Sequence, residues 1–181
     1  LLRRMTRRDN PQLVLGAFEQ RWVSFESVDI RKPETWVALD RVRDPGNLGT
    51  IMRSADAVGA NGVILVGDCT DPYSVEAVRA SMGAVFNIRI IACSEATFLK
   101  FVTTWQGHIV GTALSASIDY RKADYNRPLI VLMGNEQSGL TDNLMKACSQ
   151  LIKLPMLGRS DSLNLAVATS IVLYESLARG D

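Results

Sequence analysis

Histidine and cysteine are scarce in this chain, which has one histidine, His108, and three cysteines among 181 residues. The cysteines, Cys69, Cys93 and Cys148, are far apart and form no C-x-x-C pair, which argues against a disulfide framework and against a zinc site. Small buried side chains are the better interpretation of all three. A single histidine leaves almost nothing for a catalytic triad or a histidine-bound metal. We therefore expect chemistry without a metal.

Long apolar runs and a strong net charge are also missing. No uninterrupted apolar stretch approaches the roughly 20 residues that span a bilayer, and no secretory leader opens the sequence, so we expect a cytoplasmic protein without a membrane partner. The formal net charge of +1 gives no general attraction to nucleic acid. Arginines are nevertheless clustered near the N-terminus and again at Arg41, Arg43 and Arg53. The N-terminal cluster is either a solvated terminus or a phosphate-binding segment.

Strand and helix patterns alternate from Thr35 to the C-terminus. Fully apolar runs such as GVILVG and LIVLM are typical of strands that are covered on both faces of a parallel sheet. Amphipathic stretches between them, such as residues 48–58, are typical of helices. This alternation predicts an α/β fold with a mostly parallel sheet of about six strands and helices on both faces. We assign residues 32–181 to this single domain.

Residues 1–31 precede the alternating pattern and are interpreted as a linker with one short helix. Helix-start signals and apolar spacing predict that this helix runs from Pro11 to about Trp22. The apolar side chains that recur every four residues are Val14, Phe18 and Trp22.

Three of the predicted strands run into loops that are rich in glycine and polar residues. The segments are Val37–Arg53, Leu129–Leu140 and Lys153–Glu175. Ligands of open α/β sheets bind outside the carboxyl ends of the strands, where such loops gather. The sequence therefore predicts one composite site built from three loops that are distant along the chain.

These loops contain the sequences NLGTIMR, LMGNEQSGL and LPMLGRSDSLNLAVA. In order and spacing they resemble the three motifs of the SpoU/TrmH-like branch of the SPOUT superfamily, which are RNA ribose 2'-O-methyltransferases that use S-adenosylmethionine. The resemblance covers roughly Thr35 to the C-terminus. It implies a C-terminal trefoil knot, which composition and periodicity do not show. It also implies tRNA or rRNA as partner and a homodimer with the site near the dimer interface.

Members of this family often carry a small RNA-binding domain ahead of the catalytic one. The resemblance therefore implies that residues 1–31 are the remnant of a longer chain, and that residues 32–181 are the methyltransferase domain.

The resemblance places the binding of the methyl donor in the second and third loops. The adenosine and methionine parts of S-adenosylmethionine need apolar walls and main-chain hydrogen bonds more than charged side chains. Gly134 permits a close approach of the backbone. Taken singly, each leucine in these loops is equally typical of an ordinary core. The other expected donor-binding residues are Met133, Leu154, Pro155, Met156, Ser162 and Leu163.

Arg53 is the residue that the resemblance places at the reacting hydroxyl, where family members are proposed to use it as the proton acceptor. A guanidinium holds its proton at neutral pH, which makes it a poor base. Orientation of the hydroxyl, together with a grip on an RNA phosphate, is the role we favour. The alternative is that Arg53 only forms an ion pair with Asp56 or Glu136 and takes no part in the reaction.

Four further residues complete the predicted catalytic set. Asn47 is expected to cap its helix or to hydrogen-bond Arg53. Glu136 is expected to fix an arginine or to accept hydrogen bonds from backbone N–H groups. Ser162 and Asn164 are expected either to contact the donor or the ribose, or only to cap the last helix.

Two other functions compete with the methyltransferase. The first is a catalytically inactive RNA-binding protein on the same fold, against which the retention of all five catalytic candidates argues. The second is an enzyme acting on a free nucleotide. Neither G-x-G-x-x-G nor G-x-x-x-x-G-K-[ST] occurs in the sequence, so the usual phosphate-binding loops are missing.

Overall fold

Seven parallel strands form one sheet in the computed structural model, which describes residues 16–179. Along the chain the strands are β1 (Thr35–Asp40), β2 (Gly62–Val66), β3 (Arg89–Cys93), β4 (His108–Thr112), β5 (Ile118–Asp119), β6 (Leu129–Met133) and β7 (Gln150–Lys153). In space their order is β3-β2-β1-β6-β4-β7-β5, and every neighbouring pair is parallel. The described α-helices are α1 (Pro45–Ala57), α2 (Val75–Ala80), α3 (Glu95–Val102), α4 (Asp142–Ala147) and α5 (Leu165–Arg179).

Helices cover both faces of the sheet, as predicted. Successive side chains of a strand point to opposite faces, and β1 is buried along its whole length. Val37 and Leu39 belong to the core that includes residues of α1, α2 and α5, while Trp36 and Ala38 belong to the core beneath α3 and α4. The apolar character of both strand faces thus follows from the two helical layers.

The number of strands differs from the expected six by one. The extra strand, β5, has only two residues, both partly buried, and pairs with the edge of β7. A strand of two residues is too short to show hydrophobic alternation, so periodicity gives no signal for it.

The predicted N-terminal helix is wrong for its described part, since residues 16–24 form no helix. Tyr73 holds this segment instead: its hydroxyl accepts from the Arg21 N–H at 3.0 Å and donates to the Arg21 carbonyl at 2.6 Å. Phe18 packs edge-on against Phe86, and Trp22 against Tyr73. Side chains four residues apart also share one side of an extended chain, so the spacing fits both conformations. Residues 11–15 of the predicted helix, and Val14 with them, lie outside the described residues.

The three cysteines are free and partly buried. Burial raises the pKa of the Cys93 thiol to about 11 and that of the Cys148 thiol to about 12. Both thiols therefore stay protonated at neutral pH and are not activated nucleophiles.

The strand order brings the predicted loops to one edge of the sheet. The chain moves outward from β1 through β2 to β3, and then returns to place β4 on the far side of β6. Such a reversal opens a crevice at the carboxyl ends of the strands beside it. Among residues 16–179 no helix is both long and apolar enough to cross a membrane. The trefoil knot stays a prediction.

Candidate functional site

A cavity of about 350 Å³ lies at the carboxyl ends of β6, β4 and β7. Its volume is within the range of small-molecule sites, about 300 to 1,000 Å³. Apolar side chains form most of its wall, and the loops that follow the strands supply the polar groups. Six of the seven expected donor-binding residues line it, namely Met133, Gly134, Leu154, Met156, Ser162 and Leu163.

Pro155 is the expected donor-binding residue that does not line this cavity. It is exposed and lines a neighbouring depression of about 390 Å³ together with Leu114 and Asp161. Leu154 and Met156, on either side of it in the sequence, line the main cavity. Pro155 therefore sits at the outer side of the third loop.

The part of the cavity wall that follows β4 was not expected from the sequence. Thr112, Ala113 and Leu114 line the cavity because β4 lies between β6 and β7 in the sheet. The Thr112 hydroxyl lies 3.7 Å from the Met133 sulfur. This loop carries no cluster of glycine and polar residues, so only the strand order reveals its place.

The second loop, residues 134–140, is closed at its base by two backbone hydrogen bonds. Asn135 N–H donates to the Gly139 carbonyl at 3.1 Å, and Gly139 N–H donates to the Asn135 carbonyl at 2.9 Å. The Asn135 side-chain oxygen accepts from the N–H groups of Gln137 and Ser138. The loop is thus a tight, internally bonded unit that exposes Glu136 at its tip.

Asp44, and not Asn47, caps helix α1. The Asp44 carboxylate accepts from the Asn47 N–H at 2.6 Å, and Pro45 occupies the start of the helix. Asn47 is therefore not the helix cap, and within residues 16–179 its side chain makes no bond to Arg53. Its side chain is instead free to bond across the site.

Asn47 joins the three loops through its side-chain amide. Its Nδ2 donates to Glu136 Oε1 at 3.3 Å, and its Oδ1 accepts from Asn164 Nδ2 at 2.9 Å. Within residues 16–179 Glu136 is therefore bonded to an amide, and the expected bonds to an arginine or to a backbone N–H are not formed there. We call these three residues the amide network; it brings together one residue from each motif.

Asn164 has one of its two expected roles, that of a helix cap, and it also bonds another loop, while its contact with the donor or the ribose stays a prediction. Its Oδ1 accepts from the N–H groups of Ala166 and Val167 at 2.9 and 3.2 Å, so it caps helix α5 while its Nδ2 bonds Asn47. Ser162 does not cap the helix. It is exposed at the cavity wall, and its hydroxyl donates to Asp161 at 3.3 Å.

A second, polar cavity of about 560 Å³ adjoins the first. Arg41 and Arg43 line it, and the three residues of the amide network line both cavities. The network therefore forms the boundary between an apolar compartment and a polar one. Such an arrangement can hold two different ligands side by side and orient the groups that meet between them.

Arg53 is not brought to either cavity within one chain. Its side chain is exposed on α1 and makes no hydrogen bond or ion pair with residues 16–179, so the ion pairs with Asp56 and Glu136 are not formed. Helix α1 packs against α5, where the hydroxyls of Ser54 and Ser170 lie 2.7 Å apart. Arg53 thus projects from the helical layer beside the site.

Comparison with known proteins gives the family. The model of the SpoU rRNA Methylase family matches residues 34–174. The 23S rRNA (uridine(2479)-2'-O)-methyltransferase of Streptomyces viridochromogenes is 32% identical over 173 residues, which are 92% of this chain and 60% of that protein. The tRNA (guanosine(18)-2'-O)-methyltransferase of Escherichia coli K12 is 35% identical over 150 residues, 81% of this chain and 64% of that protein.

Solved structures agree. The AdoMet-bound rRNA methyltransferase from Sinorhizobium meliloti has 51% sequence identity and a TM-score of 0.93, and the match covers 96% of this chain and 67% of that one. The SpoU methyltransferase AviRb with the cofactor AdoMet has 32% identity and a TM-score of 0.79, over 86% of this chain and 64% of that one. The chain spans about 60% of the curated relatives it matches. The resemblance of the three motifs is confirmed, and the chain belongs to the SpoU rRNA methylase family.

Proposed function

We propose that this chain is the catalytic domain of an S-adenosylmethionine-dependent methyltransferase that modifies a ribose 2'-hydroxyl of tRNA or rRNA. The amide network carries the proposal, because it joins the three motifs between an apolar and a polar cavity. The relatives named as 2'-O-methyltransferases act on these two classes of RNA. No observation favours the inactive RNA-binding alternative.

The apolar cavity fits the donor. Gly134 has no side chain, so backbone atoms form the cavity wall at that position. Leu154, Met156 and Leu163 provide apolar walls. When bound, S-adenosylmethionine supplies an electrophilic methyl group on a sulfonium. The chain's own residues hold the adenosine and methionine parts, keep water from the apolar wall and set the direction in which the hydroxyl approaches.

Glu136 is the group to which we assign the hydroxyl proton. Among the residues that line both cavities it is the one carboxylate, and its Oε2 has no partner within residues 16–179. A carboxylate can accept a proton, whereas a guanidinium cannot. Glu136→Gln preserves an oxygen for the bond to Asn47 and should lower transfer about 100-fold with donor affinity unchanged in calorimetry. Unchanged transfer would remove Glu136 from this role.

We propose that Arg53 acts in the site of a second copy of the chain. Exposed apolar side chains share one side of α5: Val167 is 48% exposed, Tyr174 54% and Leu177 38%. Such a stripe on a helix is typical of an interface. Since α1 packs against α5, a homodimer formed through this stripe brings Arg53 of one protomer towards its partner.

The dimer has a direct test. Light scattering of the protein at micromolar concentration should give twice the chain mass of 19.9 kDa. The double variant V167D/Y174D should give the monomer mass and lose transfer, because charges do not bury in an apolar interface. Leu114→Asp changes an apolar side chain that is 77% exposed and lies away from α5, and this variant should stay dimeric. A monomeric wild-type protein would refute the proposal.

Residues 32–181 are proposed as the methyltransferase domain, with residues 1–31 as the link to a further RNA-binding part. The three free cysteines and the proposed RNA substrate support a cytoplasmic location.

The test of the reaction uses purified protein, labelled donor and total tRNA or rRNA. Label should appear in RNA and survive alkaline hydrolysis within a dinucleotide, because a methylated 2'-hydroxyl blocks cleavage of the neighbouring phosphodiester. Label in a base-methylated nucleoside would refute the ribose assignment, and absence of label on both RNA classes would refute the reaction.

Asn164→Asp should separate helix capping from function at the amide network. Aspartate keeps the cap oxygen, so we expect the free energy of unfolding to change by less than about 1 kcal/mol. It removes the donor to Asn47 and adds a charge near Glu136, so transfer should fall about tenfold. Ser94→Asp is the matched control, since Ser94 caps α3 away from the site. Equal transfer by both variants would make Asn164 only a cap.

A further inference from the structure

Arg41 occupies a backbone conformation that side chains rarely adopt. Its φ is +49°, and Arg41 and Met82 are the two described residues other than glycine with positive φ. It follows the central strand β1 directly and opens the loop that leads to Asn47. Positive φ at a residue with a side chain is unfavourable, and it persists where surrounding interactions determine it.

Asp40 supplies the first of these interactions. Its carboxylate is 1% exposed and accepts two hydrogen bonds from Arg41, from Nε at 2.9 Å and from Nη2 at 2.8 Å. A buried carboxylate is tolerated when it is paired in this way. The pairing raises the pKa of the Arg41 guanidinium, and it fixes the fork of the side chain at the end of β1.

Arg41 also bonds the second loop at two points. Its carbonyl accepts from Asn135 Nδ2 at 2.8 Å, and its Nη2 reaches the Gly139 carbonyl at 3.4 Å. Asn135 and Gly139 are the two residues that close the base of loop 134–140. Arg41 therefore ties the loop that bears Asn47 to the loop that bears Glu136.

Charge argues against a phosphate site here. The charge of Arg41 is balanced by Asp40, and that of Arg43 by Asp68 at 2.6 Å. The remaining charged residues that line the polar cavity, Asp44 and Glu136, are acidic. Because its guanidinium is bonded to Asp40, Arg41 contributes geometry rather than phosphate binding.

We propose that the Asp40–Arg41 pair is a positioning element for the transfer reaction. It sets the separation of the first and second loops, and with it the bond between Asn47 and Glu136. Arg41 acts through these residues and is not itself catalytic. The effect on activity rests on the proposed function, whereas the effect on loop 134–140 does not.

The test compares three variants. D40N/R41G removes the ion pair without leaving a buried charge, and glycine accepts the positive φ and keeps the carbonyl for Asn135. Arg41→Lys keeps a charge against Asp40 but lacks the planar fork that bonds the carboxylate and Gly139 together. Asp68→Asn is the control, because it breaks an exposed ion pair of the neighbouring residue Arg43.

For D40N/R41G we expect transfer to fall about 10- to 100-fold, since small displacements of reacting groups have effects of this size. Donor affinity should change less than about threefold. Amide hydrogen exchange within 134–140 should accelerate at least about tenfold, with the strands unchanged. Arg41→Lys should recover part of the transfer, and Asp68→Asn should match wild type in every measurement.

Wild-type exchange and transfer in D40N/R41G would overturn the proposal, and so would exchange that accelerates equally throughout the sheet. If the double variant does not fold, the Arg41→Lys variant tests the proposal. Full transfer by Arg41→Lys, with wild-type hydrogen exchange in loop 134–140, would then overturn the proposal. A wild-type protein that transfers no label refutes the proposed function, while the exchange comparison still tests the Asp40–Arg41 pair.

Discussion

Arg53→Ala is expected to lower methyl transfer about 1000-fold while the donor still binds with an affinity within about twofold of wild type. Arg53 is exposed and makes no bond within residues 16–179, so its loss should leave the fold intact. It also lines neither cavity, so the donor compartment should not change. Loss of a positioned group that stabilises the charge developing in the transition state lowers rates by about this factor.

The measurement pairs single-turnover transfer with calorimetry of donor binding. Asp56→Ala is the matched control, since Asp56 is exposed three positions further along the same helix. We expect it to transfer at the wild-type rate. Loss of donor binding together with transfer in Arg53→Ala would make Arg53 structural, and full transfer would remove it from the mechanism.

Mixing two inactive variants tests whether Arg53 serves the partner's site. Arg53→Ala retains an intact donor cavity, whereas Gly134→Ala retains Arg53 but has a distorted donor cavity. In a mixed dimer one of the two sites combines the intact cavity with the intact arginine. Random mixing makes half of the dimers mixed, so transfer should recover to about a quarter of wild type. No recovery would place the arginine and the cavity of each site in the same chain.

The sequence predicted which residues lie at the site better than it predicted their hydrogen-bond partners. Glycine and polar residues after apolar strands predicted the loops of Asn47, Glu136 and Asn164, because ligands gather at the carboxyl ends of parallel strands. Their bonds to one another depend on side-chain directions across separations of 89 and 117 residues. No local pattern encodes such distances, so the bonds expected for Asn47 and Glu136 differ from those formed within residues 16–179.

Conformation and strand order explain the other differences. A spacing of four residues predicted a helix at Phe18 and Trp22, but an extended segment places these side chains on one side as well. The loop after β4 enters the donor cavity only because β4 lies between β6 and β7. The left-handed backbone of Arg41 has no sequence signal, since glycine is the residue that usually marks it.

Gly134→Ala is expected to abolish measurable donor binding and to lower the free energy of unfolding by about 2 to 3 kcal/mol. A Cβ at this position would lie 2.5 Å from the Gly139 carbonyl carbon and 2.5 Å from the Leu140 nitrogen. Both are backbone atoms, so no side-chain rotation relieves the overlap. Relief requires the base of the loop to open, which breaks the paired bonds between Asn135 and Gly139.

Opening of that base moves Glu136 and the main-chain groups that line the donor cavity. Donor binding should therefore fall by more than the lower free energy of unfolding alone would cause. Gly158→Ala is the matched control: it lies in the third loop, and a Cβ there meets nothing within 4 Å. Calorimetry with S-adenosylmethionine and chemical denaturation measure the two effects separately. Gly134→Ala protein that binds the donor as tightly as Gly158→Ala would show that the second loop does not shape the donor cavity.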